Sequence, residues 1–477
     1  VETINGEKLG DFRALLQAHV RRESTNGVGK LLARWWNALL ACDGTAVYIP
    51  ITVVTIAAFC GSAWQIFLPR TDPARYQCYA LTFWLGSNAA RLLPSSQCAF
   101  LHVVQPQPAF HMLPLEYPPL TLLPFSLPLL APILNYQIAF ALLMALISAL
   151  IYWLLLRYGP RGGALIFVLY IFIGALATVQ IRFDLIPAML TLLFIIAAEQ
   201  RCWTWAYIAL AFAVLFKLYP ILFLPSLFIA EQQKHGLFYT PPTSISLTSV
   251  PRYLWLTLHG ASDWRWKNLF LSLGILLAVT GAFALLNFQG AVLDQLNYFV
   301  QRPIQVEATG STFLWLVMHF GVPLHITYTY GSLNISSKLD GWVSLVGELL
   351  FIVGYAYTLW MQWRGRLDIA QVSIALLLVF IATEKVFSLQ YLIWLIPLLA
   401  YVGAFDAFWL CTWGSISLLT TFILYLYLRP VDLLLIPLIP GFMQAVGVRN
   451  ALFVLVTLAY LFNWFEARRR KPVPLTQ

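Results

Sequence analysis

The feature that most constrains this chain is a series of long apolar runs almost free of charge. Tyr136–Leu156, Leu185–Ala198 and Leu269–Leu286 contain no Asp, Glu, Lys or Arg. The runs are continuous rather than alternating, which is the pattern of membrane helices and not of barrel strands. In hydrocarbon each backbone N–H and C=O must find its partner inside the chain, and a helix does this within one segment. Hydrophobic residues make up 60% of the sequence and charged residues 10%. A soluble domain carries about 25% charge. The expectation is an all-α polytopic membrane protein with no soluble domain of any size.

Twelve runs read as spans: Ala46–Leu68, Tyr136–Leu156, Ala164–Gln180, Leu185–Ala198, Trp205–Phe216, Ile221–Ala230, Leu269–Leu286, Val343–Trp363, Ile369–Ala382, Tyr391–Tyr401, Phe408–Leu428 and Val446–Trp464. Leu120–Leu134 is broken by Pro124, Pro128 and Pro132, and Phe313–Phe320 is short. Both read as re-entrant or interfacial pieces.

The net charge of +9 raises the possibility of a nucleic-acid partner, but its placement argues against one. The excess lies beside the apolar runs, at Arg21–Arg22, Lys30, Arg34 and Arg468–Lys471. Clustered Lys and Arg mark cytoplasmic loops and contacts with anionic lipid. Residues 1–45 are therefore expected inside, without a cleavable signal pattern and with Lys30–Ala41 as an amphipathic interfacial helix. Residues 46–464 form the membrane domain, 69–117 its long first outer loop and 465–477 a basic cytoplasmic tail. Twelve spans also put Arg157–Arg161, Glu231–Lys267 and Arg364–Arg366 inside, where the positive-inside rule wants them. The expected location is the cell (plasma or inner) membrane.

This topology collects polar residues on the outer side: Asp72, Glu116-Tyr117, Arg182, Asp184, Lys217, Tyr219, Arg302, Gln305, Glu307, Glu384, Lys385 and Gln390. Charge near membrane depth is costly and usually faces a cavity or a partner. Each residue also has a plain reading. Lys217 can snorkel to headgroups, Arg182 and Asp184 can be a structural pair, and Asp72 can be a turn residue before Pro73. Their convergence on one face favours function.

Other chemistry finds little support. The sequence has no phosphate-loop or dinucleotide fingerprint, no HExxH and no nucleophile elbow, so neither a metal nor a cofactor is expected. Asn334-Ile-Ser336 matches a glycosylation acceptor by triplet alone. Cys60, Cys202 and Cys411 read as packing residues, and Cys42 lies near the inner face. Cys78 and Cys98 share the first outer loop, where a disulfide and two free thiols are both open readings.

Several segments together carry a likeness: Asp72 with Tyr76–Gly86, Glu116-Tyr-Pro-Pro-Leu120, Arg182-Phe-Asp-Leu-Ile-Pro187, Phe216-Lys-Leu-Tyr-Pro220, Arg302–Glu307 and Glu384–Trp394. In order and spacing they resemble GT-C glycosyltransferases of family 87, relatives of polyprenyl-phosphate-mannose-dependent mannosyltransferases. The first outer loop, with Cys78 and Cys98, departs from that pattern. The resemblance implies a GT-C-like fold of about 12 transmembrane helices. It also implies transfer of a sugar, mannose first among the choices, from a polyprenyl-phosphate donor to a lipid-linked or cell-envelope acceptor at the outer face.

On this reading Asp72 is the general base. Lys217, Arg302, Lys385 and Arg182 meet the donor phosphate, since cations aimed at a leaving phosphate stabilise its developing charge. Tyr117, Asp184, Tyr219, Gln305, Glu307 and Gln390 orient sugar or acceptor. The spans and Leu120–Leu134 would enclose the lipid tail. A lipid flippase or permease, or a non-catalytic subunit of a membrane complex, is the competing class; neither needs a proton acceptor at Asp72.

Overall fold

The long apolar runs fold as helices in the computed structural model, which describes residues 45–66, 68, 71–94, 96–102, 111–238, 250–428 and 432–468. The expected interfacial helix Lys30–Ala41, Cys42 and the end of the basic tail lie outside these residues.

In chain order the α-helices are α1 (Ile49–Ile66), α2 (Asp72–Leu85), α3 (Leu122–Ser126), α4 (Tyr136–Tyr158), α5 (Gly163–Gly174), α6 (Leu185–Glu199), α7 (Trp203–Phe216), α8 (Leu224–Lys234), α9 (Val250–His259), α10 (Lys267–Leu286), α11 (Asp294–Gln301), α12 (Thr309–Met318), α13 (Asp340–Trp363), α14 (Ile369–Thr383), α15 (Leu392–Val402), α16 (Ala407–Tyr427) and α17 (Phe442–Phe462). Among the described residues, six helical segments are long and apolar enough to cross a membrane: Ala46–Ile66, Ile133–Tyr158, Lys267–Leu286, Asp340–Trp363, Ala407–Tyr427 and Phe442–Phe462. These coincide with six of the expected runs.

The other expected runs are shorter. Helices α5, α6, α7, α14 and α15 have 12, 15, 14, 15 and 11 residues. At 1.5 Å per residue they rise about 17–23 Å, less than a hydrocarbon core of about 30 Å. Ala164–Gln180 stops being helical at Gly174, and Ile221–Ala230 divides into a 3-10 turn, Tyr219–Phe223, and α8. These short helices are covered by protein. Every residue of α15 is buried, as are most of α14 and α6. Irregular backbone at membrane depth is tolerated where protein surrounds it. By contrast, α10 and α13 bury very few of their residues.

Two departures from a purely helical reading bear on the site. A small antiparallel sheet forms from β1 (Ile304–Gln305), β2 (His325–Thr329) and β3 (Ser332–Ser336), in the order β1-β3-β2. Its hairpin pairs Thr329 with Ser332 across Tyr330-Gly331, both at positive φ, as a tight two-residue turn requires. Asn334 lies in β3, fully buried, and its amide donates to the Thr329 carbonyl at 2.9 Å and the Ser332 carbonyl at 3.1 Å. Those bonds occupy it in the fold, so the glycosylation reading is set aside.

The cysteines divide differently from expectation. Cys60, Cys202 and Cys411 are exposed on the protein surface rather than packed inside. Cys78 of α2 and Cys98 are joined as a disulfide, 20 residues apart in sequence and with Cα atoms 5.7 Å apart. The bridge ties α2 to the 3-10 turns that follow it, alongside Gln97, whose amide donates to Gln77 at 2.9 Å and to the Ala74 carbonyl at 3.0 Å. Non-reducing peptide mass spectrometry is expected to recover Cys78 and Cys98 as one linked pair. Cys78→Ala/Cys98→Ala is expected to cost about 2–4 kcal/mol through restored loop entropy in the unfolded chain. Two free thiols in freshly purified protein would contradict this.

Candidate functional site

Helix ends from distant parts of the sequence meet around one buried carboxylate. Asp184 caps the N-terminus of α6 and Lys217 caps the C-terminus of α7. Each charge has the sign that its helix end favours. The Lys217 ammonium is ion-paired with Asp184 Oδ1, and the same oxygen accepts a 2.6 Å hydrogen bond from the indole N–H of Trp394 in the first turn of α15. Asp184 is only 1% exposed. Its other oxygen, Oδ2, accepts no hydrogen bond among the described residues.

Aromatic rings enclose this pair. The Lys217 ammonium lies 4.8 Å from the Trp394 ring centroid, 5.2 Å from Phe183 and 5.9 Å from Tyr117. Tyr219 and Tyr391 stack on Trp394 at 4.2 and 3.9 Å. Tyr117 meets Phe183 edge to face at 4.9 Å, and Tyr76 of α2 stacks on Phe125 at 4.2 Å. The Asp72, Glu-Tyr-Pro-Pro, Arg-Phe-Asp, Lys-Leu-Tyr-Pro and Gln-Tyr-Leu-Ile-Trp segments thus pack together.

Asp72, the first residue of α2, is not a simple turn residue. Its carboxylate pairs with the Arg182 guanidinium, and Arg75 Nη1 lies 4.0 Å from it. Arg75 also pairs with Glu116. The hairpin tip approaches the same place. A Cβ at Gly331, which has φ +69°, would stand 3.0 Å from Arg75 Nη1. Tyr298 donates to the Tyr330 carbonyl at 3.1 Å, and its ring lies 5.3 Å from the Arg302 guanidinium.

A second group lies on the loop between α11 and α12 and at the end of α14. Arg302 donates to Ser332 Oγ at 3.2 Å. The Gln305 backbone N–H donates to the Lys385 carbonyl at 2.9 Å, and its side-chain amide donates to Glu307 Oε2 at 2.6 Å. The Lys385 ammonium donates to the Val300 carbonyl at 3.1 Å. Burial pushes the Glu307 and Glu384 carboxyls above their ordinary range, opposed at Glu307 mainly by Arg449 and at Glu384 by Lys385. Gln390 sits in the 3-10 turn before α15, its Oε1 buried without a hydrogen bond among the described residues. The two groups share one electrostatic environment: Arg182 and Arg302 both act on Lys217 and on Glu307.

Beside the second group opens an apolar groove of about 790 Å³, with Phe299, Phe313, Trp342 and Phe351 on its walls and Glu384 and Lys385 at its polar end. Gly347 of α13 lets this wall close up, since a Cβ there would meet the Thr383 carbonyl oxygen at 2.6 Å. Leu120–Leu134, expected to enclose a lipid tail, contributes nothing to the lining. It is spent on short helical turns, Pro119–Leu130, whose Phe125 packs under Tyr76.

All eleven expected site residues thus fall in these two groups, but several are engaged with one another. Lys217 is committed to Asp184, and Arg182 to Asp72. Arg75 and Tyr298 were not expected at the site, and Tyr391 and Trp394 stood in the Glu384–Trp394 segment without a role of their own. It also missed Arg449 and Asn450 of α17, which hold the Glu307 backbone carbonyl from across the bundle. Arg75, three residues after Asp72 at the start of a helix, was legible as its neighbour; Arg449 gave no local signal. No protein-family model matches this chain, and no curated protein is significantly similar to it.

If the Asp184 pair joins these helix ends, Lys217→Met leaves a buried carboxylate without its cation. Such a loss costs about 3–5 kcal/mol. The melting temperature in detergent is expected to fall clearly for Lys217→Met and to recover in large part in Lys217→Met/Asp184→Asn. A wild-type melting temperature for the single variant would show that the pair holds nothing together.

Proposed function

We propose that this chain is a GT-C-type membrane glycosyltransferase that moves a sugar, mannose foremost, from a polyprenyl-phosphate donor to a lipid-linked or cell-envelope acceptor at the outer face of the membrane. In this reading the short buried helices complete about twelve membrane passages. The observation that carries the proposal is the meeting of Asp72, Arg182, Asp184, Lys217, Arg302, Glu307 and Lys385, drawn from five separate segments, beside an apolar groove whose polar end holds Glu384 and Lys385. A long isoprenoid chain needs an apolar trough, its phosphate needs fixed cations, and a hydroxyl nucleophile needs a base.

The donor tail would lie in the groove, with Lys385 and Arg302 closest to its phosphate. Arg302 is well placed for this task. Its guanidinium rests on Tyr298 and gives a hydrogen bond to Ser332, so its remaining donors can turn to an anion. The acceptor oxygen bonds to the anomeric carbon as the bond from that carbon to the phosphate oxygen breaks. The acceptor proton passes to the Asp72 carboxylate, and polyprenyl phosphate leaves with the electron pair. The Asp72 carboxylate is paired with Arg182, and the donor phosphate would compete for that arginine and so free the carboxylate for the acceptor. Tyr117 and Tyr219 offer aromatic rings against which a sugar packs, and Asp184, Gln305, Glu307 and Gln390 are polar groups for its hydroxyls.

Asp72→Asn is the test. Asn keeps the size of Asp and some of its hydrogen bonding but accepts no proton at neutral pH. Turnover of a labelled polyprenyl-phosphate sugar is expected to drop by about 10²–10⁴-fold, with donor binding largely kept. A folded Asp72→Asn protein that transfers at close to the wild-type rate would remove the base from Asp72.

A further inference from the structure

The helices α13 and α14 leave the groove end of the molecule and finish, or begin, at the opposite end, where a second cavity of about 720 Å³ is lined by Arg366, Gln371, Asn463, Glu466 and Arg468. Its walls come from two distant segments, the turn between α13 and α14 and the chain just after α17. Gln371 in the first turn of α14 locks them together by donating its amide to the Arg468 carbonyl at 2.8 Å, and the Arg468 backbone N–H donates to Asn463 Oδ1 at 3.1 Å. The fold therefore places two arginines, Arg366 and Arg468, and one acid, Glu466, on the walls of one cavity.

Three observations say what this cavity would take. Arg468 Nη1 is shut off from solvent and makes no hydrogen bond among the described residues. Arg468 is held below its ordinary range by burial first, with the charge of Arg366 adding to it, and a bound anion would relieve both. Between Asn463 and Glu466 the chain presents Trp464 and Phe465, 45% and 78% exposed, at the end of an apolar helix. Exposed aromatics at a helix end sit at headgroup level. The sequence continues as Arg469-Arg470-Lys471, a basic run of the kind that draws anionic lipid.

We propose that this cavity binds the phosphate of an anionic lipid headgroup, with Arg366 and Arg468 as its ligands and Gln371 and Asn463 as neighbouring hydrogen-bonding groups. The site is separate from the groove and does not rest on the transferase reading. A soluble phosphate offers the same chemistry, and its position at the foot of an apolar helix favours the lipid. Paired arginines suit a phosphate because each presents a planar fork of donors.

The test is native mass spectrometry of the purified full chain in detergent, titrated with phosphatidylglycerol, with phosphatidylcholine, or with phosphatidylglycerol plus millimolar inorganic phosphate. Phosphatidylglycerol is expected to bind in preference to phosphatidylcholine. Arg366→Gln/Arg468→Gln is expected to weaken it by at least about tenfold, the equivalent of losing one charge-assisted contact. Arg366→Gln alone, at an exposed position and with its melting temperature checked against wild type, is expected to weaken it by a smaller factor. Unchanged phosphatidylglycerol affinity in both variants would overturn the site. Complete displacement by inorganic phosphate would overturn the lipid assignment.

Discussion

The arrangement of this protein depends on one buried carboxylate. Asp184 accepts from Lys217 and from Trp394, and so ties the start of α6 to the end of α7 and the start of α15. An ion pair out of water contributes little net stability, because desolvation offsets most of the attraction. Its value lies in specificity: only one registration of these three helix ends satisfies the charge. The Trp394 ring carries Tyr219 and Tyr391 on its faces, and the Lys217 ammonium sits among Tyr117, Phe183 and Trp394. Much of the aromatic and cationic geometry of the site is fixed through this one contact.

A second constraint is helix length. Among the described residues six segments are long enough to cross a membrane; the shorter apolar helices need shelter inside protein, and α6, α14 and α15 are sheltered. The ends of those helices then fall within the protein. Asp184 stands at the start of α6, and Glu384 and Lys385 follow the end of α14. Short helices and clustered charge are thus two views of one solution.

Much of this was legible in the sequence. The long apolar runs, almost free of charge, announced the six long helices, because hydrophobic length is a local property. The charged ends of apolar runs announced Asp184, Lys217 and Lys385. What remained hidden was pairing. Nothing near Lys217 says that its partner is Asp184 rather than a ligand, and nothing near Arg449 says that it reaches the carbonyl of Glu307, since both contacts join segments far apart in the chain. The hairpin of β2 and β3, His325–Ser336, was missed because its polar residues lack strand alternation clear enough to read. The prolines of Leu120–Leu134 marked a broken helix correctly, but not that its Phe125 would pack on Tyr76 of α2.

In the function proposed for it, this cluster cleaves the bond between a sugar and a polyprenyl phosphate. The most direct measurement incubates purified protein with a polyprenyl-phosphate sugar labelled in the lipid, together with a cell-envelope lipid extract as acceptor source, and follows free polyprenyl phosphate over time. The account predicts acceptor-dependent release of polyprenyl phosphate with the sugar recovered on an acceptor. Intact donor after prolonged incubation with folded protein, or labelled donor merely moved between leaflets of a vesicle, would contradict it.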